Sequence, residues 1–489
     1  MKKLFCILLC ALMCSGCELR IPATGEVQIP GQTSLPAMPE TVKADTLNIA
    51  LCGAVEFQPH SEYNEINRQA LGFVYEPLFY ANGNNDIQPA LATGLVNNGT
   101  SVDILLRENV FWHDGSKFSA ADAAYSVNLV AGDTSVYKNT FIRSARVKNS
   151  TCITVYLAEP VVKPELLFTF PVVKNKSPQS MNKPNGTGVF SFSEKESVDT
   201  FRFKVFDKYY GAKPGYTSLC MINAPDEKRV KQLYDAGETD VFAINNDMIS
   251  SYTPRANTYI YNYCTNKMIY IGFNCSKIPP EIRRAVYYAF NRREAVERLM
   301  KQNAEFSDFP HIPTPTYPGE NPFSIERAER EMTAGGYELK NGMYTKDNRV
   351  CTIGFMVENE EKYGALYDEL EKKLNNFGIK CVKENADYFY ERIASGEFDA
   401  VLGCFEMKNG VSEMLGIGNS FRYENEELRR ILLTPDVDII KAYGIIANDS
   451  PVIPVAFEKA AVSVSPSVQG ASMPSYLFPY YGFSGWVLE

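Results

Sequence analysis

Apolar and polar positions in this chain follow two periods, and the two periods alternate along most of its length. Strict alternation in Val102–Leu106 predicts a strand with one buried face. In Glu281–Arg292, apolar residues recur at i, i+3, i+4, i+7 and i+8, which predicts a helix with one side in a core. Arg349–Val357, Tyr363–Asn376 and Gly378–Val382 predict a strand, a helix and a second strand. This succession predicts an α/β fold.

The stretch from Val74 to Val130 carries the most informative series of motifs. They are, in order, Glu76-Pro77-Leu78, Pro89-Ala90-Leu91-Ala92, Leu106-Arg107, His113-Asp114-Gly115 and Ala120-Ala121-Asp122. Ser119, with Asp122 three residues later, predicts the beginning of a helix there. Each motif alone is weak. Their order and intervals closely resemble the signature of the peptide/nickel class (family 5) of bacterial extracellular solute-binding proteins.

Downstream motifs extend this resemblance to nearly the whole chain, from Thr46 to about Gly470. They are Asn185–Phe192, Asp207-Lys208-Tyr209-Tyr210-Gly211, Glu281–Arg292, Gly396-Glu397-Phe398-Asp399 and Pro451–Phe457. The resemblance implies a periplasmic-binding-protein type II fold, in which two hinged α/β lobes close around a ligand. It also implies an extra small domain inserted in the first lobe. A chain of 489 residues is too long for one ordinary core, which agrees with several lobes.

The resemblance also gives domain boundaries. The first lobe is expected to comprise residues 46–80, 187–265 and 458–489, and the second lobe residues 266–457. The small inserted domain is expected at residues 81–186. Residues 18–45 contain four prolines and no aromatic residue, which predicts a flexible tether.

Residues 1–17 have the features of a signal peptide. Two lysines precede an apolar run that is too short to span a membrane. The run ends in Cys14-Ser15-Gly16-Cys17, which resembles the bacterial lipobox and implies that Cys17 is lipid-modified. Plain secretion, with Cys17 left in the signal peptide, is the alternative. The protein is then expected outside the cytoplasm, held on the cell membrane by its N-terminal lipid.

Charge and motif content exclude several other classes of function. The formal net charge of −9 becomes −11 when the two positive charges of Lys2 and Lys3 are removed, which argues against nucleic acid or anionic lipid as a partner. The sequence has no GxSxG or HExxH motif, so no enzyme activity is expected. Nothing brings the three histidines together, so neither a metal nor another cofactor is expected.

Seven residues are candidate ligand contacts because the resemblance places them beside the cleft between the lobes. They are Glu56, Phe57, Cys404, Phe405, Glu406, Lys408 and Phe457. In peptide-binding relatives, an aspartate at the position of Lys408 holds the free amino group of the peptide. A lysine there would repel an amine, so the hypothesis is that the ligand presents no free amine at this point. The alternative is that Glu406 takes the role of the aspartate.

The sequence therefore predicts a monomeric, lipid-anchored binding protein. It would capture a small ligand, a peptide or related compound, and deliver it to the permease of an ABC transporter. The alternative function is a surface receptor or adaptor that keeps the same fold without transport.

Overall fold

The computed structural model describes residues 45–55, 57–132, 135–176, 183–310, 322–407, 420–434 and 438–489. The predicted signal peptide with Cys17, the tether up to residue 44, Glu56 and Lys408 lie outside these ranges. In the part of the chain that the structure describes, none of the helices has both the length and the apolar character needed to cross a membrane.

The strands are numbered in chain order. They are β1 (Thr46–Cys52), β2 (Phe79–Ala81), β3 (Ile87–Pro89), β4 (Ala92–Asn97), β5 (Ser101–Leu106), β6 (Ile142–Asn149), β7 (Cys152–Leu157), β8 (Phe190–Lys195), β9 (Thr200–Val205), β10 (Ser218–Ala224), β11 (Val241–Ile244), β12 (Tyr259–Phe273), β13 (Ala304–Phe306), β14 (Glu338–Lys340), β15 (Met343–Lys346), β16 (Arg349–Val350), β17 (Thr352–Val357), β18 (Lys380–Lys383), β19 (Ala400–Glu406), β20 (Val452–Val464), β21 (Val468–Gln469) and β22 (Val487–Leu488).

The α-helices of the described residues are numbered in the same way. They are α1 (Glu65–Ala70), α2 (Ala120–Ala131), α3 (Glu227–Asp235), α4 (Asn246–Ile249), α5 (Pro280–Ala289), α6 (Arg292–Leu299), α7 (Ile325–Ala334), α8 (Glu360–Phe377), α9 (Phe389–Ser395), α10 (Glu426–Leu432) and α11 (Ile439–Asp449). Short 3-10 helices cover Leu71–Phe73, Pro164–Phe168 and Phe483–Gly485. The mixture of strands and helices confirms the predicted α/β class.

A mixed sheet of eleven described strands runs through most of the molecule. Ten of the strands follow the order β18-β17-β19-β12-β20-β11-β1-β10-β9-β8, and β13 pairs with β20. β12 and β20 lie antiparallel to each other in the middle, and their pairing shifts register between Cys264 and Met268. The predicted lobe boundaries, 265/266 and 457/458, fall at this register shift.

The hydrophobic cores lie on both faces of this sheet. Successive residues of a strand point to opposite faces, and Ile269 and Ile271 of β12 belong to one core while Met268 and Tyr270 belong to another. α5 contributes Ile282 and neighbouring apolar residues to the first of these cores, which is the buried face that its periodicity predicts. Leu47, Ile49 and Leu51 of β1 belong to a third core, at the other end of the sheet.

Residues 78–172 contain a separate core built on the antiparallel sheet β4-β5-β7-β6. Trp112 lies fully buried in it, and its indole N–H donates to the Asp122 carboxylate (3.3 Å). α2 begins where the sequence predicts, because Ser119 and Asp122 form a reciprocal capping box. This core lies within the segment predicted as the inserted domain, whose boundaries stay a prediction.

Candidate ligand-binding site

A cavity of about 540 Å³ lies between the third core, the core of residues 78–172 and the end of β19. Its walls come from α1 and the turn after it, from the segments that follow β7 and β9, and from residues 476–484 near the C-terminus. Asn266, Glu406 and Met407 form a further part of the wall. Of the described side chains that line the cavity, ten are aromatic, and seven of these are tyrosines.

Five charged side chains of the described residues stand among these rings. Glu65 and Arg68 lie on α1, and Glu65 pairs with Lys267 of β12 (Oε2 to Nζ, 3.0 Å). The Arg68 guanidinium carbon lies 5.4 Å from the ring centre of Tyr137. The other three are Glu76, Arg107 and Glu406. The lining thus offers both signs of charge on an aromatic surface.

Glu76 is the most deeply buried of the five. Its Oε1 atom accepts hydrogen bonds from the hydroxyls of Tyr209 (3.0 Å) and Tyr210 (2.9 Å). Burial raises the pKa of Glu76 to about 7. The Tyr210, Thr187 and Tyr209 hydroxyls and the Arg107 guanidinium act in the opposite direction and lower this pKa. Removal from water therefore outweighs the stabilising contacts of the carboxylate.

Segments far apart in the sequence hold Glu76 at this wall. The Tyr75 hydroxyl donates to the Phe57 carbonyl (2.9 Å), and the Gly188 N–H donates to the Val74 carbonyl (2.9 Å). A side chain at Gly186 or Gly188 would overlap the Val74 backbone, with a Cβ at 1.9 Å or 2.7 Å from its nearest atom. Glycine is needed at both positions because two backbones approach each other closely.

His113 has a structural role in the same region. Its Nε2 atom is 2.8 Å from the Gly188 carbonyl oxygen, and its Nδ1 atom accepts from the Gly186 N–H (3.2 Å). Burial lowers the pKa of His113 to about 4. Both ring nitrogens are therefore occupied by the backbone of the glycine segment. This agrees with the interpretation of the His113-Asp114-Gly115 motif as a turn rather than a metal site.

Of the candidate residues from the sequence, Glu406 lies in the wall of the cavity. Phe405 packs edge-to-face on Tyr270, with ring centres 5.9 Å apart. The Cys404 N–H donates to Glu358 Oε2 (2.6 Å), and burial raises the pKa of its thiol to about 12. Phe57 and Phe457 are fully buried in hydrophobic cores. Glu56 and Lys408 lie outside the described residues, and the ligand roles of all seven stay predictions.

Sequence reasoning missed most of the charged wall. Arg107 belongs to the Leu106-Arg107 motif, and Tyr209 and Tyr210 belong to a later motif, yet none of them was predicted as a site residue. The available signal was Glu76 itself, a carboxylate inside the apolar run Val74–Phe79. A charged residue in such a run is almost never fully buried without a specific partner.

Comparison with solved structures identifies the fold. The nickel ABC transporter protein from Bacillus halodurans superposes with a TM-score of 0.74 at 16% identity, over 91% of this chain and 100% of that chain. The oligopeptide-binding protein AppA from Bacillus subtilis, solved with a nonapeptide, gives 0.58 at 16% identity, over 91% and 99%. The fold is therefore that of two-lobed periplasmic binding proteins of type II, as the sequence predicts.

The family follows from sequence comparison. Residues 86–406 match the model of the bacterial extracellular solute-binding proteins, family 5 (middle part), and this range is more than half of the chain. A curated relative, heme-binding protein A from Haemophilus influenzae, is 24% identical over 87% of this chain and 88% of its own length. The chain belongs to family 5 of the bacterial extracellular solute-binding proteins, whose members serve ABC transporters.

Proposed function

We propose that the protein is a lipid-anchored binding protein that captures a peptide or related small compound and delivers it to an ABC permease. The observation that carries this proposal is the aromatic cavity of about 540 Å³. Its volume is within the range of roughly 300–1,000 Å³ that is typical of small-molecule sites. A cavity lined by rings, with charged groups at defined points, suits a binder rather than an enzyme.

The chemistry of the wall supports a ligand with both apolar and polar parts. The aromatic side chains offer contact area, and both signs of charge can orient a ligand that carries more than one polar group. The names of related proteins mention nickel, heme and a nonapeptide, which are chemically unlike one another. The identity of the ligand must therefore be argued from the residues of this chain.

A hinge is available between the two halves of the sheet. β12 and β20 connect them, and their register shift between Cys264 and Met268 interrupts the regular ladder at that point. Irregular pairing concentrates bending where it occurs. Closure around a ligand would give the permease a signal that the binding protein is loaded.

The position of Glu406 bears on the free amino group of a peptide ligand. The sequence hypothesis was that Lys408 excludes an amine, with Glu406 as the alternative partner for one. Glu406 lies in the wall of the cavity, which makes that alternative testable. If Glu406→Gln abolishes the binding of free-amine tripeptides and Lys408→Ala leaves it intact, the hypothesis of no amine at this point is wrong.

The decisive experiment uses a protein that begins at Asp45 and is purified natively. It is then denatured, and the released compounds are identified by mass spectrometry. Short peptides in the released fraction would support the proposed function. A single compound of another kind would keep the binding role and change the ligand. Acyl labelling of the full chain, with Cys17→Ser as the control, would test the lipid anchor.

The receptor or adaptor function is the second candidate, because the ligand position at residue 408 departs from the peptide-binding pattern. It predicts that nothing is released from the purified protein and that a peptide pool does not raise its melting temperature. That result would overturn the transport proposal.

A further inference from the structure

One part of the cavity wall holds a carboxyl group that has tyrosine neighbours and makes no ion pair with any residue that the structure describes. Glu76 is only 9% exposed, and none of the ion pairs between described residues includes it. Its Oε2 atom is buried, and the nearby Thr187 hydroxyl lowers the pKa of Glu76 without meeting the geometry of a hydrogen bond. A buried carboxylate in this state is costly, because the water it has lost is only partly replaced.

The Arg107 guanidinium lowers the pKa of Glu76 but forms no ion pair with it, and its direct contacts are with other groups. Its Nε–H donates to the Ala90 carbonyl (3.0 Å), and its guanidinium carbon lies 4.7 Å from the ring centre of Tyr210. The contact with Tyr210 is a cation–π interaction. The positive charge of Arg107 is thus already in contact with an aromatic ring of the cavity wall, while Glu76 Oε2 remains without a hydrogen-bond donor among the described residues.

The tyrosines around Glu76 present acceptors rather than donors. Tyr209 and Tyr210 each have one hydroxyl proton, and both protons are directed at Glu76 Oε1. The phenol oxygens therefore keep only lone pairs for a ligand. Their rings lie 5.0 Å apart at an angle of 41°, and a second pair, Tyr80 and Tyr481, stacks at 6.2 Å in the same lining.

We propose that Glu76, Tyr209 and Tyr210 form the subsite for a positively charged nitrogen of the ligand, an ammonium or guanidinium group. Such a group donates hydrogen bonds to the tyrosine oxygens, supplies the missing counter-charge to the carboxylate, and is attracted by the surrounding rings. The proposal rests on the proposed function, since it requires that a ligand enters this cavity.

The opposite assignment, an anionic ligand group on Arg107, fits the contacts less well. An anion would lie beside the Glu76 carboxylate and would meet tyrosine hydroxyls whose protons are already donated to Oε1. Like charges at short range raise the free energy of the complex. The experiment below includes this assignment as one of its outcomes.

The first test compares the compounds retained by natively purified wild type, Glu76→Gln and Asp240→Asn. Glutamine keeps the acceptor for both tyrosines and removes the charge. Asp240 is a matched control, because burial also raises its pKa and it lies outside the lining of the cavity. We expect wild type and Asp240→Asn to release compounds with a primary amine or guanidinium, and Glu76→Gln to release at most about a tenth as much.

The second test uses three small probes that share one aromatic body: phenethylamine, 2-phenylethanol and phenylacetate. Wild type should bind the amine about tenfold more tightly than the alcohol, and the carboxylate most weakly. Glu76→Gln should remove the preference for the amine and leave binding of the alcohol unchanged. If Glu76→Gln does not fold, Tyr210→Phe, which removes one phenol oxygen, should reduce the same preference.

The outcomes separate the inference from the proposed function. If wild type and Glu76→Gln release the same compounds in equal amounts, the binding role stands and the cationic subsite is wrong. Tightest binding of phenylacetate, or release of a ligand without a basic nitrogen, overturns the subsite in the same way. If wild type releases nothing and binds no probe, the proposed function fails, and the subsite fails with it.

Discussion

Glu458 and Glu76 are buried glutamates that both receive tyrosine hydrogen bonds, and of the two only Glu458 forms an ion pair with a described residue. Glu458 on β20 is 2% exposed and accepts from the Tyr363 hydroxyl (2.7 Å) and from Lys362 Nζ (2.7 Å). Glu76 accepts from Tyr209 and Tyr210 in the cavity wall. The two carboxyl groups thus have similar hydrogen-bond partners and different charge compensation.

The difference follows from what each site faces. Lys362 contacts both Glu458 and Asp247 (3.1 Å), so its ammonium connects α8 with α4 and β20, and Glu458 has a cation partner within the protein. Glu76 faces a cavity that a ligand can enter. A buried carboxylate that is paired with a cation is compensated within the protein, whereas one without such a partner at a cavity wall lowers stability and favours a cationic ligand. The comparison with Glu458 therefore identifies a paired cation as the partner that Glu76 lacks among the described residues.

Removal of the cation from the balanced site should have the largest effect on stability. Lys362→Met leaves Glu458 buried with one tyrosine partner, so we expect a loss of about 2–4 kcal/mol in the free energy of unfolding at pH 8. Urea denaturation measures the loss, and the double variant Lys362→Met/Glu458→Gln should regain much of it. A double variant as unstable as Lys362→Met alone would contradict the comparison.

Removal of the charge from Glu76 should increase the free energy of unfolding, whereas the Lys362→Met substitution decreases it. The pKa of Glu76 in the folded state is about 7, above its ordinary value of 4.5. The folded protein therefore binds this proton more tightly than the unfolded chain, and the associated stability is complete below pH 4.5 and is lost as pH rises through 7. Without ligand, Glu76→Gln should be about 1–3 kcal/mol more stable than wild type at pH 8 and nearly equal at pH 4.

The same pH series supplies the control for this prediction. Glu196→Gln changes a surface carboxylate that is paired with Arg202, and it should leave the difference between pH 4 and pH 8 as in wild type. If Glu76→Gln is less stable than wild type at pH 8, the carboxylate is compensated in the folded protein, and the contrast with Glu458 is wrong.

The sequence predicted those parts of the fold that depend on local pattern. The periodicity of Glu281–Arg292 identified the buried face of α5, and Ser119 with Asp122 located the beginning of α2. It did not predict that the helix stops before Asn291, whose side chain accepts from the Glu294 N–H (3.2 Å) and begins α6. A side-chain bond of this kind ends a helix without changing the apolar period.

The candidate site was less predictable, because its residues meet only through the tertiary fold. Glu76 and Tyr210 are 134 positions apart, and Arg107 reaches the same place from the end of β5. Motif resemblance selected positions near residue 405 by analogy with relatives, and of those described, Glu406 lines the cavity. The neighbours of a buried carboxylate depend on which strands pair, and no local pattern contains that information.

The third glutamate of this comparison, Glu65, should give the smallest effect. It lines the cavity like Glu76 and has a cation like Glu458, but its pair with Lys267 is about 40% exposed, with side-chain exposures of 42% and 38%. Water screens such a pair, so a double-mutant cycle with Glu65→Gln and Lys267→Met should give a coupling of about 0.2–1 kcal/mol, reduced further by added salt. The register shift of β12 lies beside Lys267, so this pair connects the cavity wall to the proposed hinge. A coupling as large as that between Lys362 and Glu458 would show that burial does not set the order of the three sites, and the contrast between Glu76 and Glu458 would then need another cause.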